Sequence, residues 1–116
     1  MPGMVENEML NPEAPGTLDF IGLNYYSRMH VKGRLNPQEP FVFDTRQQDI
    51  MTDMGYPLYA EGFYRALKTI SEVGVPIYVT ENGLADDKDT IRPLFIERYL
   101  YALNQALKER IDIRGY

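Results

Sequence analysis

The chain has 116 residues, 44% of them hydrophobic, with 12 Lys and Arg against 17 Asp and Glu for a net charge of -5. That length suits one modest domain with a core but falls well short of the roughly 250 residues of a closed eight-stranded α/β barrel, and an acidic chain without a basic block or stripe offers no electrostatic footprint for nucleic acid. No apolar run approaches the roughly 20 residues of a membrane span, no signal-peptide pattern opens the chain, and zero cysteines exclude disulfides and Cys-based metal sites, so the expected location is cytoplasmic.

Residues 1–16 hold three Pro, several acidic residues and little periodicity, and are expected to form a surface segment or linker ahead of a domain over 17–116. Leu18-Asp19-Phe20-Ile21-Gly22-Leu23-Asn24-Tyr25-Tyr26 reads as a buried strand, with Leu18, Phe20, Gly22, Asn24 and Tyr26 on one face and Gly22 admitting a close neighbour. The stretch 27–56 lacks sustained periodicity and is expected to be a long loop, with one short strand at Phe41-Val42-Phe43. Tyr59, Phe63, Leu67 and Ile70 recur at helical spacing ahead of Gly74, which predicts a helix over 60–73.

Pro76 and Asn82-Gly83 then bracket an apolar, β-branched run, Ile77-Tyr78-Val79-Thr80-Glu81, expected to be a strand. Simple alternation places Glu81 on the same face as Ile77 and Val79, and a carboxylate in such a row costs free energy unless something uses it. The C-terminal end of a parallel strand is where α/β sheets keep their chemistry. An acidic loop with Asp86, Asp87 and Asp89 leads into a predicted helix over 90–110, capped by Asp89 or Thr90, tolerant of Pro93 in its first turn, and lined by Ile96, Leu100, Leu103 and Leu107 with Tyr99 and Ala106 beside them as core. Ile111-Asp112-Ile113-Arg114-Gly115-Tyr116 turns into a further strand. Strand, long loop, helix, strand, helix and strand in this order predict an α/β fold with parallel strands and crossover helices.

Four stretches occur in a telling order: Asp19-Phe20-Ile21-Gly22-Leu23-Asn24-Tyr25-Tyr26, Thr52-Asp53-Met54-Gly55-Tyr56-Pro57-Leu58-Tyr59, Ile77-Tyr78-Val79-Thr80-Glu81-Asn82-Gly83-Leu84 and Arg114-Gly115-Tyr116. Together they resemble the C-terminal third of glycoside hydrolase family 1, the β-glucosidase-like enzymes. The resemblance implies a partial (β/α)8 TIM barrel covering strand 6 to the start of strand 8, and a retaining β-glycosidase acting on a β-glycoside without a cofactor. Residue by residue, it implies that Glu81 is the catalytic nucleophile, that Tyr26 orients it, and that Asn24 and Tyr56 contact substrate, Tyr56 standing where the family usually has Trp. A retaining glycosidase also needs an acid/base carboxyl about 5 to 5.5 Å from the nucleophile. The family carries it on a Thr-Phe-Asn-Glu-Pro-like strand, and no such motif occurs in this sequence, so the chain is expected to be inactive by itself.

Blander readings stand beside these. Glu81 could be a capping or salt-bridged loop carboxylate, and Asn24 and Tyr26 could merely satisfy backbone groups. His30, the single histidine, has no Cys or second His with which to hold a metal. The aspartates of the 86–89 loop fail the spacing of a calcium loop and suit a helix N-terminus. The alternative function is a non-catalytic barrel fragment or interaction module, and in either case exposed strand edges predict self-association.

Overall fold

The structure is a computed structural model that describes residues 11–116; most of the expected N-terminal segment lies outside that range, and residues 11–16 form exposed turns. Seven elements follow: β1 (Ile21–Asn24), β2 (His30–Gly33), β3 (Phe41–Asp44), α1 (Ala60–Ser71), β4 (Ile77–Glu81), α2 (Arg92–Lys108) and β5 (Ile113–Gly115). Strands β1, β4 and β5 form a parallel sheet with β4 in the middle, and β2 and β3 form a separate antiparallel pair. No helix among the described residues is long and apolar enough to cross a membrane.

Parallel strands need crossovers, and α1 and α2 supply them on one face of the sheet. The core is the layer between: Phe63 and Leu67 of α1, Ile77 and Val79 of β4, and Phe95, Tyr99, Ala102 and Ala106 of α2, joined by the half-buried Ile21, Leu23 and Ile113 of the flanking strands. Gly62 lets α1 approach β1, since a Cβ there would overlap the Tyr25 hydroxyl and the Tyr59 ring. The other face of the sheet, with Gly22, Asn24, Tyr78 and Thr80, is open.

Three expectations are corrected. Strand β1 is shorter than 18–26, because the run before Ile21 has no covering layer: Leu18 is 52% and Phe20 55% exposed. Its ladder gains one backbone bond at each end, from the Ile21 amide to the Pro76 carbonyl (2.9 Å) and from the Tyr25 amide to the Glu81 carbonyl (2.9 Å). The 27–56 stretch is not a loop with one strand. Phe41–Asp44 pairs with His30–Gly33, a hairpin whose apolar side chains Val31, Phe41 and Phe43 remain exposed, so no buried face announces the second strand. Lys32 ties the pair to Asp44 at 2.7 Å and holds that carboxyl below its ordinary range.

The third correction concerns α2. Its buried row is Phe95, Tyr99, Ala102 and Ala106, while Ile96, Leu100 and Leu107 are 46%, 42% and 45% exposed. Tyr99 and Ala106 are thus core as expected, and Phe95 and Ala102 join them. Neither Asp89 nor Thr90 caps the helix. The Asp86 side chain accepts the amides of Ile91 (2.8 Å) and Arg92 (2.9 Å); partial burial raises its carboxyl, but those amides, that of Thr90 and the Arg92 charge outweigh burial and leave it lowered. Asp89 instead pairs with Arg92 at 2.6 Å.

The C-terminal end of α2 closes with the bond pair of a Schellman turn: the Ile111 amide reaches the Ala106 carbonyl (3.3 Å) and the Arg110 amide the Leu107 carbonyl (2.9 Å). This geometry needs a left-handed residue at position 110, where Arg110 has φ 63°, whereas α1 is followed by Gly74 at φ 78°. A side chain in that region costs about 1 kcal/mol. Arg110→Gly is therefore expected to stabilise the chain by about 0.5–1 kcal/mol in urea unfolding, and an unchanged or lower midpoint would show that the turn is unstrained.

Candidate active site

The site is assembled where the parallel strands end. In the β1–β4 ladder Leu23 pairs with Val79 but Asn24 pairs with Glu81, so Thr80 is an extra residue on β4. A slip of this kind re-aims the residues beyond it. Ile77 and Val79 point into the helix layer at 1% and 7% exposure, whereas Glu81 leaves that row and joins the open side, which corrects the alternation that put all three on one face.

On the open side Glu81 meets Tyr26, whose hydroxyl donates to Glu81 Oε2 at 2.6 Å. The carboxylate raises the Tyr26 pKa, first by accepting this bond and so favouring the neutral phenol, with some burial and the repulsion of the Glu81 charge adding to it. Among the described residues Glu81 Oε1 has no donor. Asn24 lies on the same side and accepts the Thr80 hydroxyl through Oδ1 at 2.6 Å. Gly22 leaves room for Thr80, whose Oγ1 would stand 3.2 Å from an added Cβ.

Tyr56 arrives from the long connection. Residues 50–58 close on themselves: the Leu58 amide bonds the Ile50 carbonyl (2.9 Å), the Thr52 amide bonds the Tyr56 carbonyl (3.0 Å), and the Thr52 hydroxyl bonds that same carbonyl (2.9 Å). The turn sets the Tyr56 ring edge-on to Tyr26, with centroids 6.4 Å apart and planes at 67°. The structure thus brings together all four residues singled out in the sequence, Asn24, Tyr26, Tyr56 and Glu81.

Three supporting residues escape a reading by sequence alone. Asn82 donates through Nδ2 to the Tyr25 carbonyl (2.7 Å) and accepts the Tyr116 hydroxyl through Oδ1 (2.9 Å), which links the ends of all three sheet strands; in the sequence Asn82-Gly83 signals only a turn. Thr52, 5% exposed, sits in a stretch without periodicity. Tyr99 looks like core and also carries hydrogen bonds.

Other features do not join the site. His30 Nε2 lies 3.6 Å from Asp49 Oδ2, and Arg28 pairs with Asp49 at 3.0 Å while stacking on the Tyr59 ring. No group of three or more His, Asp or Glu among the described residues could hold a metal. A groove of about 700 Å³ lies between α1 and α2 and is lined by Glu61, Arg65, Glu97 and Arg98 among others. It contains none of the four clustered residues. A smaller hollow of about 270 Å³ adjoins Tyr56 from the side of Arg28, His30 and Asp49.

A carboxylate and a phenol meeting at the C-terminal ends of parallel strands, with crossover helices behind, is the layout of one sector of an α/β-barrel enzyme. The model of Glycosyl hydrolase family 1 matches residues 3–116, and the chain belongs to that family. It is similar to a β-galactosidase of Sulfolobus acidocaldarius, 34% identical over 96% of this chain and 25% of the relative, and to β-glucosidase A of Thermotoga maritima, 32% identical over 85% of this chain and 24% of the relative. Among solved structures it superposes on a β-glycosidase from Pyrococcus horikoshii with a TM-score of 0.71 and 39% identity over 84% of this chain and 24% of the other, and on the T. maritima β-glucosidase in complex with glucoimidazole with a TM-score of 0.72 and 33% identity over 85% and 24%. The chain spans about a quarter of the length of the curated relatives it matches.

The contact at the centre of the site has a direct readout. Glu81→Gln removes the charge that favours the neutral phenol, so the Tyr26 titration should move down toward the ordinary tyrosine value. Carbon-13 NMR of ring-labelled tyrosine measures it, and an unmoved Tyr26 curve would mean that the two groups do not touch in solution.

Proposed function

We propose that this chain is the sector of a retaining β-glycosidase barrel from its sixth strand to the start of its eighth, and that Glu81 is the nucleophile. The observation that carries this reading is the 2.6 Å bond from the Tyr26 hydroxyl to Glu81 Oε2 at the strand ends. In the reaction, a Glu81 oxygen attacks the anomeric carbon while an acid/base carboxyl from outside this chain protonates the departing oxygen, giving a glycosyl ester on Glu81. The same outside carboxylate then takes a proton from water, which attacks the anomeric carbon and releases Glu81, so two inversions retain the configuration. Tyr26 aims the carboxylate through its hydrogen bond to Oε2. Asn24 supplies an amide to the sugar hydroxyls, and Tyr56 forms an aromatic wall.

A chimaera tests this reading. With the matching quarter of the P. horikoshii β-glycosidase replaced by residues 17–116 of this chain, hydrolysis of an aryl β-glucoside is expected, and Glu81→Gln should lower kcat by several orders of magnitude. A chimaera whose activity is indifferent to Glu81→Gln would overturn the assignment. The chain alone, without the second carboxyl, is expected to show no steady turnover of cellobiose.

The partner proposed for the chain by itself is a second copy. Strands β1 and β5 are the edges of the sheet, and Phe20, Tyr26 and Tyr116 are 55%, 41% and 55% exposed, a combination that invites strand addition. Sedimentation over a range of concentrations should show reversible association; a monomer at every concentration would contradict it.

A further inference from the structure

Tyr99 lies at the centre of the core with no exposed surface. Its ring stacks on Phe95 at 4.0 Å and leans on Phe63 (5.6 Å) and Tyr25 (6.2 Å). Phenylalanine would pack as well, so the hydroxyl needs a separate account. That hydroxyl donates to the Tyr26 carbonyl at 2.9 Å and accepts the Tyr59 amide at 3.1 Å. Burial pushes its pKa up to about 12, with the accepted amide and nearby acidic and phenolic groups as smaller influences, so it stays a neutral donor across the range in which enzymes work.

The two bonds fall where the sheet stops. The β1 ladder ends with the Tyr25 amide on the Glu81 carbonyl, and the Tyr25 carbonyl is taken by Asn82. One residue further on, Tyr26 has no other backbone hydrogen bond among the described residues. Its chain is therefore held at two points, the carbonyl by Tyr99 and the hydroxyl by Glu81. Tyr59 caps α1, and its carbonyl accepts the Tyr25 hydroxyl at 2.9 Å, so the Tyr99 hydroxyl locks the start of α1 to the end of β1 from the interior of α2.

We propose that the Tyr99 hydroxyl is a positioning group: by bridging the Tyr26 carbonyl and the Tyr59 amide it fixes the Tyr26 backbone so that the phenol lands on Glu81. The importance of this for catalysis rests on Glu81 being the nucleophile, whereas the positioning itself does not. Tyr99 touches neither substrate nor reacting atoms; it acts through Tyr26. Removing its hydroxyl leaves a carbonyl and an amide unpaired in a part-buried place, and the inexpensive relief is for the chain at Tyr26 to move toward solvent, which takes its phenol off the carboxylate.

The test is Tyr99→Phe, which keeps the ring, in the same ring-labelled chain. The Tyr26 titration is expected to shift down in the direction of the Glu81→Gln curve. Phe95→Leu, which weakens the stack on Tyr99 without removing a hydrogen bond, should lower the unfolding midpoint and leave the Tyr26 curve in place. A folded Tyr99→Phe chain with an unshifted Tyr26 curve would overturn the proposal. A measurement on the unmodified chain stands independent of whether the variant folds: the Tyr99 hydroxyl proton should exchange slowly and show a nuclear Overhauser effect to the Tyr59 amide proton, and its absence under conditions where other buried amides are protected would equally overturn it. These readouts need no turnover, so an inactive chimaera would reject the role of Glu81 without touching that of Tyr99.

Discussion

The one-residue slip at Thr80 is the constraint on which the rest of the site depends. A strand that alternated strictly from Ile77 to Glu81 would send the carboxylate into the helix layer, among Phe63, Leu67 and Phe95, where an ionised group without a partner is costly. Because Asn24 pairs with Glu81 and skips Thr80, the aliphatic residues remain in the core and the carboxylate emerges beside a phenol. One strand thereby performs two tasks that conflict under simple period-two geometry.

Around that strand the division of labour is plain. The helices supply stability, through a core of eight buried hydrophobic residues among those described, shared by α1, β4 and α2, while the connections bring Tyr26 just past β1 and Tyr56 on its turn to the open side, with Asn82 just past β4 tying the strand ends. Three tyrosine hydroxyls, those of Tyr25, Tyr99 and Tyr116, fasten strand ends or helix starts to one another. A phenol suits this work because its ring belongs to the core and its oxygen can reach a polar rim. Family 1 membership is consistent with this architecture, since barrel enzymes place function on the loops at strand C-termini and leave the opposite end to stability.

Much of this is legible in the sequence, for reasons that differ by element. Strand β4 and the two long helices are visible because Pro76, Asn82-Gly83 and Gly74 punctuate clear apolar patterns, and Glu81 stands out as a carboxylate at a strand end. The hairpin of β2 and β3 is half hidden because neither strand buries a face. The buried row of α2 is read only in part: Tyr99 and Ala106 stand out as core, whereas Phe95 and Ala102 are passed over for Ile96, Leu100 and Leu107, because leucine and isoleucine outweigh alanine in any hydrophobic count. The slip at Thr80 leaves no mark in composition or period, since it is a property of how β4 pairs with β1. The polar duties of Tyr99 and Thr52 are invisible for a similar reason: their partners are backbone groups 73, 40 and 4 residues away.

Asp53 adds a consequence for motion. Its amide donates to the Ala85 carbonyl at 3.0 Å, and its carboxylate accepts the Asp87 amide at 2.5 Å, so the turn bearing Tyr56 is stitched to the segment that follows Glu81. Asp86, in the middle of that segment, is in turn fastened to the first amides of α2. The Tyr56 turn, the acidic segment and the helix start are thus joined by a continuous run of hydrogen bonds. A swing of the Tyr56 turn alone would have to break the stitches at Asp53, so the Tyr56 ring is held to the segment between β4 and α2.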